Sequence, residues 1–521
     1  MNRSTAPAWL LAFLVVVAIS SDARAGVYGG TIESVSAGKI VLKFLSSNKT
    51  QLFRISNGTQ VTLNGKRSSL AKLRAGMKVS VTTVSSGRVT RVKARTATAT
   101  STTRPKKPKT SSPAPQKRFP KTIRPNVGTA RGDWPQFRGP NRDNVSKETG
   151  LLKNWPPAGP ELLWTARGFG EGYSSVSVAG GKVFTMGTQG NNQAVFARDL
   201  QSGDAIWATP CGPAFRQGAG NGPRSTPTID GDFVYVLGGG GELSCLDVRS
   251  GRVKWQKNIL REFAASNITW GICESVLIDG EKLICTPGGW GATMVALNKR
   301  DGNVIWRAAV LGNPQASYSS PIAVTVGGVK QYVSVTSRSV IGVRAADGRG
   351  MWQDSASANG TANCSAPLFY KNHIFSASGY GTGGALLRLS SSRGETSARR
   401  LFTTSDMKNH HGGMVIVDGY LYGSNDPGIL TCLDLRDGSV KWKNRSVGKG
   451  SVTYADGRII LRSESGPVVL VEATPAGYRE LGRFDQPNRS GRSAWAHPVV
   501  AAGKLFLRDQ DLMLCLSLKD E

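Results

Sequence analysis

The sequence predicts an all-β protein, an eight-bladed β-propeller preceded by a small β-barrel domain. Three observations support this fold class: a short motif recurs at intervals of 46 to 51 residues, glycine is abundant at 63 of 521 residues, and short alternating apolar runs are separated by Asn-Gly and Asp-Gly turns. Abundant glycine without a collagen period indicates many tight turns. The 39% hydrophobic residues and 12 Trp are enough for a packed core, which excludes a disordered chain.

The first 25 residues have the pattern of a secretory signal peptide. Arg3 precedes an apolar run at 9–19, and the small residues Ala23 and Ala25 form a cleavage pattern, so we expect the mature chain to begin at Gly26. A membrane anchor is the alternative. Later apolar runs are too short to span a bilayer, which predicts an exported periplasmic or extracellular protein with no transmembrane segment in the mature chain.

Residues 26–97 predict a small basic β-barrel of five or six strands. Short runs in which every second residue is apolar are separated by turn residues, and a short helical turn is expected from Ser69 to Leu73. The region holds 13 Lys or Arg residues against one acid, Glu33. Phe44 and Phe53 are expected to face its core rather than a nucleic acid.

Residues 98–131 predict a disordered basic linker. They are rich in Thr, Ser and Pro, with nine Lys or Arg residues and no acidic residue, so they cannot bury enough apolar surface to order the chain. A solvated spacer is one interpretation. The other is a polyanion partner bound through residues 26–131, since clustered cations bind polyanions in a salt-dependent way.

The repeated motif defines the blades predicted over residues 132–521. A complete copy has Asp or Asn at its third position, Gly at its seventh and Trp at its eleventh. Four copies are complete and a fifth has lost the Asp: 197–207, 245–255, 296–306, 432–442 and 342–352. We expect the Asp to cap a turn, the Gly to supply a positive φ, and the Trp, on the outer strand, to pack between blades.

Degenerate units near 386–401 and 468–484 complete the series. Residues 162–164 look like an outer strand without its own blade, and residues 497–518 look like strands that lack an outer partner. Joining them closes a ring of eight units.

This repeat resembles that of the PQQ-like β-propeller family, over about residues 133–521. The segment that starts at Asp133-Trp134-Pro135 is similar to the start of exported, BamB-like propellers of the planctomycete type. The family includes both quinoprotein alcohol dehydrogenases, which use pyrroloquinoline quinone (PQQ), and cofactor-free scaffolds such as the propeller lipoprotein of the outer-membrane β-barrel assembly machinery. The resemblance therefore implies the fold and leaves the activity open.

The first strand of each blade lines the axis of a propeller, so side chains at the starts of these strands are the candidate ligand-binding residues. They are rich in aromatic and hydrogen-bonding groups: Tyr173, Arg224, Trp270, Tyr318, Asn363, His410, Lys449, Trp495 and His497. Trp and Tyr stacking, with Arg224 and Lys449 as counter-charges, would suit a planar anionic ligand. A water-filled channel is the alternative.

The sequence gives little support for quinoprotein catalysis and assigns no catalytic or metal-binding residue. The alcohol dehydrogenases of the family carry an adjacent Cys pair, or a Cys-x-x-Cys-His haem site in some relatives, and this chain has neither. Glu274 and Asn363 are the only obvious strand-start calcium ligands, and His410 and His411 are expected to alternate across a strand. Of seven Cys, only Cys273 and Cys285 are close enough in sequence to suggest a pair.

Two functions are consistent with these patterns. The first is an exported, non-catalytic scaffold that binds a protein or polymer partner through the propeller face, with its basic front end directed to an anionic cell-envelope surface. The second is a quinoprotein oxidoreductase that uses PQQ and calcium to oxidise alcohols or sugars. The oligomeric state is left open.

Overall fold

The computed structural model describes residues 26–36, 38–44, 50–56, 58–64, 66–83, 88–95 and 132–519. The chain divides into two compact units, residues 1–120 and 121–521. The predicted signal peptide and basic linker lie outside the described residues. Within the described ranges, no helix has the length and apolar character needed to cross a membrane.

The N-terminal unit is one seven-stranded sheet with the order β3-β2-β1-β6-β7-β4-β5. Its strands are β1 (Gly26–Ser36), β2 (Lys39–Phe44), β3 (Thr50–Arg54), β4 (Gln60–Leu63), β5 (Lys66–Arg67), β6 (Lys78–Thr83) and β7 (Val89–Arg95). The expected count of five or six strands was too low, because the two-residue strand β5 has no alternating pattern to reveal it. The expected helical turn is a 3₁₀ helix at Leu70–Lys72.

Alternating burial along these strands builds the core of the unit. Phe53 is 4% exposed and packs with Ile40, Leu42 and Val81, which confirms its expected inward direction. The Phe44 side chain lies outside the described residues.

The second unit is an eight-bladed propeller, as predicted, and each blade is a four-stranded antiparallel sheet. Blades 1 to 4 comprise β9 (Ser177–Ala179), β10 (Lys182–Gln189), β11 (Asn192–Asp199), β12 (Ala205–Pro213); β13 (Thr228–Asp230), β14 (Phe233–Leu237), β15 (Glu242–Asp247), β16 (Val253–Asn258); β17 (Leu277–Asp279), β18 (Lys282–Cys285), β19 (Met294–Asn298), β20 (Val304–Ala308); and β21 (Ile322–Val326), β22 (Val329–Val335), β23 (Val340–Arg344), β24 (Gly350–Asp354). A one-turn helix, α1 (Ile259–Glu262), follows blade 2.

Blades 5 to 8 continue the same order, and the last blade closes the ring. They comprise β25 (Leu368–Tyr370), β26 (His373–Ser378), β27 (Gly383–Ser392), β28 (Glu395–Thr404); β29 (Met414–Val417), β30 (Tyr420–Asn425), β31 (Ile429–Asp434), β32 (Val440–Asn444); β33 (Gly450–Ala455), β34 (Arg458–Ser463), β35 (Val468–Glu472), β36 (Glu480–Phe484); and β37 (Val499–Ala501), β38 (Lys504–Asp509), β39 (Leu512–Ser517) with β8 (Leu162–Ala166) as fourth strand. Trp164 of β8 pairs with Cys515 of β39, which confirms the predicted closure.

The motif residues couple successive blades. The indole N–H of Trp306 in blade 3 donates to Ala345 O in blade 4 at 3.2 Å, and Trp164, Trp207, Trp255 and Trp442 bond the next blade in the same way. The motif Gly of the next blade lies against this ring: a Cβ on Gly348, whose φ is +77°, would sit 2.5 Å from Trp306. The glycine therefore has two roles: it adopts the positive φ of the turn, and its lack of a side chain leaves room for the Trp ring of the preceding blade.

Residues 132–146, which we call the axial segment, cross the inner strands of the blades. Arg138 is buried and donates to Ala366 O and Met414 O, at 3.2 and 2.6 Å, in blades 5 and 6. Arg142 donates to Ser275 O and Val276 O in blade 3. Further bonds reach blades 1, 2 and 7 through Trp134 N, Pro135 O and Asn144 Nδ2. The segment lies across the axis, so the propeller axis is not an open channel at this level.

All seven cysteines are free thiols. Cys285 is buried in β18, whereas Cys273 lies before β17 on the wall of the axial cavity described below. The suggested Cys273–Cys285 pair is therefore wrong: the two residues lie on either side of a hairpin, and closeness in sequence did not bring their thiols together.

Candidate functional site

A cavity of about 300 Å³ opens at the propeller axis above the axial segment. Its walls come mainly from the segments that lead from the outer strand of one blade to the first strand of the next. Seven of the nine predicted residues line it: Tyr173, Arg224, Trp270, Tyr318, His410, Trp495 and His497. Each lies a few residues before its strand rather than within it.

Asn363 does not line the cavity, because its amide is used inside the fold. Nδ2 donates to Thr336 O and Asn359 O, both at 3.0 Å, and Oδ1 accepts from Asn359 N and Ser378 Oγ at 2.8 and 2.7 Å. The adjacent residue, Cys364, takes its place on the wall.

Lys449 also lies outside the lining, behind His410. Its Nζ contacts His410 Nδ1 and pairs with Asp426 Oδ1 at 3.3 Å. Burial, together with the nearby Lys449 charge, lowers the pKa of His410 to about 4. The His410 ring is therefore neutral at pH 7, and its Nε2 lies 3.1 Å from Tyr380 Oη.

Both His410 and His411 line the cavity, so the expected alternation across a strand is wrong. They lie in an irregular stretch that ends before β29, where the strand period does not apply. His411 Nε2 contacts Glu464 Oε1, and Trp495 Nε1 donates to the same oxygen at 2.7 Å. Burial would raise the pKa of Glu464, but the hydrogen bond from His411 and the charges of His411 and Lys449 lower it to about 2.

Aromatic rings form much of the wall. Tyr173 and Trp495 have ring centroids 4.5 Å apart, and Trp270 and Tyr318 are 5.5 Å apart. Phe137 of the axial segment contributes from the axis itself, 5.2 Å from the His497 ring. The axial segment thus makes the cavity a closed cup.

Four further groups of the wall, two thiols, a tyrosine and a histidine, are neutral at pH 7. Burial raises the pKa of Cys273 to about 12 and also raises the pKa of Cys364, so both thiols stay protonated. Burial raises the pKa of Tyr318 to about 12 and lowers that of His497 to about 3. These thiols and rings behave as weakly polar surface rather than as nucleophiles.

Arg224 and Glu464 are the charged residues of the lining. The Arg224 guanidinium donates to Gly222 O and Gly220 O at 3.1 and 2.7 Å. It also lies 5.5 Å from the ring centroids of Tyr173 and Phe215. The backbone and two aromatic faces therefore hold this cation at the margin of the cup.

Sequence reasoning missed Glu464 and Tyr380 because it considered only strand starts. Both lie in hairpins between the second and third strands of a blade, which open on the same face as the strand starts. Tyr380 sits in a glycine-rich hairpin, with φ of +55°. Applying the blade period to these hairpins as well would have found both residues.

A family model described as "Outer membrane protein assembly factor BamB" matches residues 141–270 and 191–444. The chain belongs to this family. The matched residues span blades 1 to 6 of the BamB-like propeller and include most of the cup. The Outer membrane protein assembly factor BamB of Yersinia pestis is 26% identical over 323 residues, covering 60% of this chain and 68% of that protein.

Solved structures share the fold of this BamB-like propeller. BamB from Moraxella catarrhalis matches with a TM-score of 0.50 and 13% identity, covering 69% of this chain and 98% of that one. A quinohemoprotein alcohol dehydrogenase from Pseudomonas putida HK5 matches with a TM-score of 0.54 and 13% identity, covering 74% and 80%. The fold is thus shared by BamB and by a quinohemoprotein alcohol dehydrogenase, as the resemblance to the PQQ-like family implies.

The BamB-like propeller lacks a donor set for a calcium-bridged quinone. Both oxygens of Glu274 accept from Thr286 N, at 3.1 and 3.0 Å, and burial raises the pKa of this carboxyl to about 8. The Asn363 oxygen is likewise spent on Asn359 and Ser378. Neither side chain lines the cup, and the described residues contain no cluster of three His, Cys, Asp or Glu suited to a metal ion. These residues do not fit PQQ with calcium.

Proposed function

We propose that the protein is an exported, non-catalytic binding protein of the BamB-like family and that it binds its partner through the propeller face on which the cup opens. The observation that carries this proposal is the closed aromatic cup, whose side chains are arranged for contact rather than for metal or nucleophilic chemistry. The assembly role in the name of the family and of the Yersinia pestis relative supports a protein partner.

Exposed apolar side chains around the cup support the same face. Tyr380 on the rim is 47% exposed. Trp290 and Leu311 are 67% and 73% exposed, and their loops are joined by a hydrogen bond from Gly291 N to Asn313 Oδ1. Trp290 lies in a hairpin between second and third strands, as Tyr380 does. Exposed large apolar residues on one face are typical of interaction surfaces.

The test places a photo-crosslinking amino acid at Tyr380, at Trp290, or at Asp418 in the turn at the opposite end of blade 6. We expect one discrete adduct, identical from the first two positions and competed by unmodified protein, and no such adduct from Asp418. Adducts that form equally from Asp418, or from none of the three positions, would overturn the proposal.

The alternative, a quinoprotein oxidoreductase acting on alcohols or sugars, is tested by calorimetric titration with PQQ, with and without calcium. We expect no calcium-dependent binding, because the Glu274 and Asn363 oxygens are already engaged. Tight calcium-dependent binding followed by alcohol-dependent dye reduction would replace the scaffold proposal by the enzyme.

We further propose that the basic front end, residues 26–131, binds an anionic envelope polymer. Exposed Lys39, Lys43 and Lys66 of its described strands support this. Binding of a polyphosphate should weaken steeply with salt and should disappear when these residues are deleted, because it depends on counterion release. Salt-independent binding would contradict the proposal.

A further inference from the structure

We infer that the axial cup binds an organic cation with an aromatic or apolar body, of the arylalkylamine class, through the carboxylate of Glu464. This inference rests on the proposed binding role of the same face, and it names the ligand class that the cup selects.

The carboxylate has one oxygen committed and one free. Oε1 accepts from Trp495 Nε1 and contacts His411 Nε2, whereas Oε2 has no partner among the described residues. The side chain is 27% exposed and lines the cup. An ammonium group entering the cup can therefore donate to Oε2 without breaking an existing bond. A charge-assisted hydrogen bond of this kind is stronger than a neutral one.

The aromatic rings beside Glu464 suit the same cation. Trp495 donates to the carboxylate, and its ring centroid lies 4.5 Å from that of Tyr173 and 5.9 Å from that of His411. Cations are attracted to the faces of Trp and Tyr, most strongly when they are removed from water. Across the cup, Trp270 and Tyr318 with the neutral thiols of Cys273 and Cys364 offer an apolar wall for the body of the ligand.

The cationic groups near this site already have partners, and Glu464 Oε2 is left, among the described residues, as a free charged acceptor. His411 Nε2 contacts Oε1 of the same carboxylate. Lys449 is outside the lining and is paired with Asp426. Arg224 is held at the margin by two carbonyls and two rings. His410 and His497 are neutral at pH 7 because burial lowers their pKa values. An anionic ligand, such as the planar anion suggested by the sequence, would have to approach the Glu464 carboxylate, whereas His411, Lys449 and Arg224 already have partners.

The test is calorimetric titration of the full-length chain with three ligands that share one ring: tryptamine, which is cationic, tryptophol, which is neutral, and indole-3-propionate, which is anionic. We expect tryptamine to bind at least tenfold more tightly than tryptophol, and indole-3-propionate to bind most weakly. In Glu464→Gln, tryptamine should fall to the affinity of tryptophol, a loss of about tenfold or 1.4 kcal/mol.

Two controls separate charge from structure. Tryptophol affinity should be unchanged in Glu464→Gln, which reports that the aromatic cup is intact, because Gln keeps an oxygen for Trp495. Glu171→Gln should leave the whole series unchanged. Glu171 is an acid of the neighbouring pocket, which shares Tyr173, and its carboxylate accepts from Asn221 Nδ2 at 3.1 Å.

Three outcomes would overturn the inference. Tighter binding of indole-3-propionate, lost in Arg224→Gln, would show that the cup selects anions. Equal affinities of the three ligands would show that it does not read charge. Absence of binding by all three at millimolar concentration would show that the cup excludes this class. The proposed binding role fails separately, only if the crosslinks from Tyr380 and Trp290 also fail.

Discussion

His497 links the floor of the cup to the axial segment. Its Nδ1 lies 3.1 Å from Asn144 Nδ2 and its Nε2 lies 3.0 Å from His411 O. A neutral ring with hydrogen on Nε2 satisfies both contacts, since Nδ1 then accepts and Nε2 donates. Burial and the charge of Arg138 lower its pKa to about 3, which is consistent with that neutral form.

This histidine predicts a pH-dependent stability. Between about pH 6.5, the unfolded value, and about 3, the unfolded state binds a proton that the folded state does not. His497 should therefore lower the free energy of unfolding as the pH falls through this range, with a limiting slope of about 1.4 kcal/mol per pH unit. Urea unfolding of the wild type and His497→Gln between pH 4 and 7 measures the difference in slope.

His373→Gln is the matched control, because it removes a histidine from the start of β26, outside the cup. A slope in His497→Gln equal to that of the wild type would show that His497 does not titrate in this way.

At the residue scale, sequence reasoning found the aromatic part of the cup and missed its acid. Tyr173, Trp270 and Trp495 each precede a first strand, so the blade period placed them at the axis. Glu464 comes from a hairpin, and its role depends on a contact with His411 across blades. The blade period can locate this hairpin, but it does not report the contact that Glu464 makes there with His411.

At the scale of the element, the Gly–Trp contact makes each turn depend on the preceding blade. Gly348 and Gly280 both lie in turns with positive φ, +77° and +59°. They differ in surroundings: a Cβ on Gly348 would meet the Trp306 ring at 2.5 Å, whereas a Cβ on Gly280 would meet nothing within 4 Å. Substituting these two glycines therefore distinguishes the cost of backbone strain, which both share, from the cost of packing between blades, which only Gly348 has.

Gly348→Ala should therefore destabilise the propeller more than Gly280→Ala does. In both variants an alanine in the left-handed region lowers the free energy of unfolding by about 1 kcal/mol. In Gly348→Ala, overpacking against Trp306 lowers it by about 1 to 3 kcal/mol more. Denaturant unfolding of both variants measures the difference. Equal losses would show that the Trp ring moves aside and that the blades are coupled loosely.

The strands and turns of the blades were the part of this fold that the sequence predicted best. The Asp-Gly pairs at 230–231, 279–280 and 418–419 lie at the turns between first and second strands. Gly231, Gly280, Gly419 and Asp418 adopt the positive φ that these turns require. Blade 5 was located only approximately, because it has Phe402 where other blades have the motif Trp. Phe402 takes the place of that Trp against Gly438, the motif Gly of blade 6. The N-terminal sheet was less predictable, because its parallel β4–β7 pairing joins strands that are distant in sequence.

At the scale of the whole molecule, the propeller is closed by three features from its two ends. β8 completes blade 8, and the axial segment ties the inner strands together. Arg508, buried in β38, donates to Thr185 Oγ1 and Met186 O of blade 1 at 2.9 and 3.2 Å. In the sequence, the axial segment was recognised only by its resemblance to the start of related propellers. Because it is not a repeat, no periodic pattern predicted that it lies along the axis.

Two truncations test this closure. A chain that starts at residue 132 keeps β8 and the axial segment, so its urea midpoint should match that of the full chain. A chain that starts at residue 150 loses Arg138, Arg142 and Asn144, and leaves buried carbonyls such as Met414 O without donors. Each such group costs about 1 to 3 kcal/mol, so the midpoint should fall clearly. Equal midpoints would show that the axial segment is dispensable.

The position of the axial segment and β8 also has a consequence for the order of synthesis. The residues of the propeller that leave the ribosome first are those whose partners are made last: Gly168, just after β8, bonds Asp511, 343 residues later. The ring cannot close until the C-terminal strands β37, β38 and β39, which pair with β8, have been translated. During that interval β8 and the segments beside it lack their C-terminal partners, and such long-range pairing is slow and prone to aggregation. A nascent chain of this protein should therefore need a chaperone until its final strand is available.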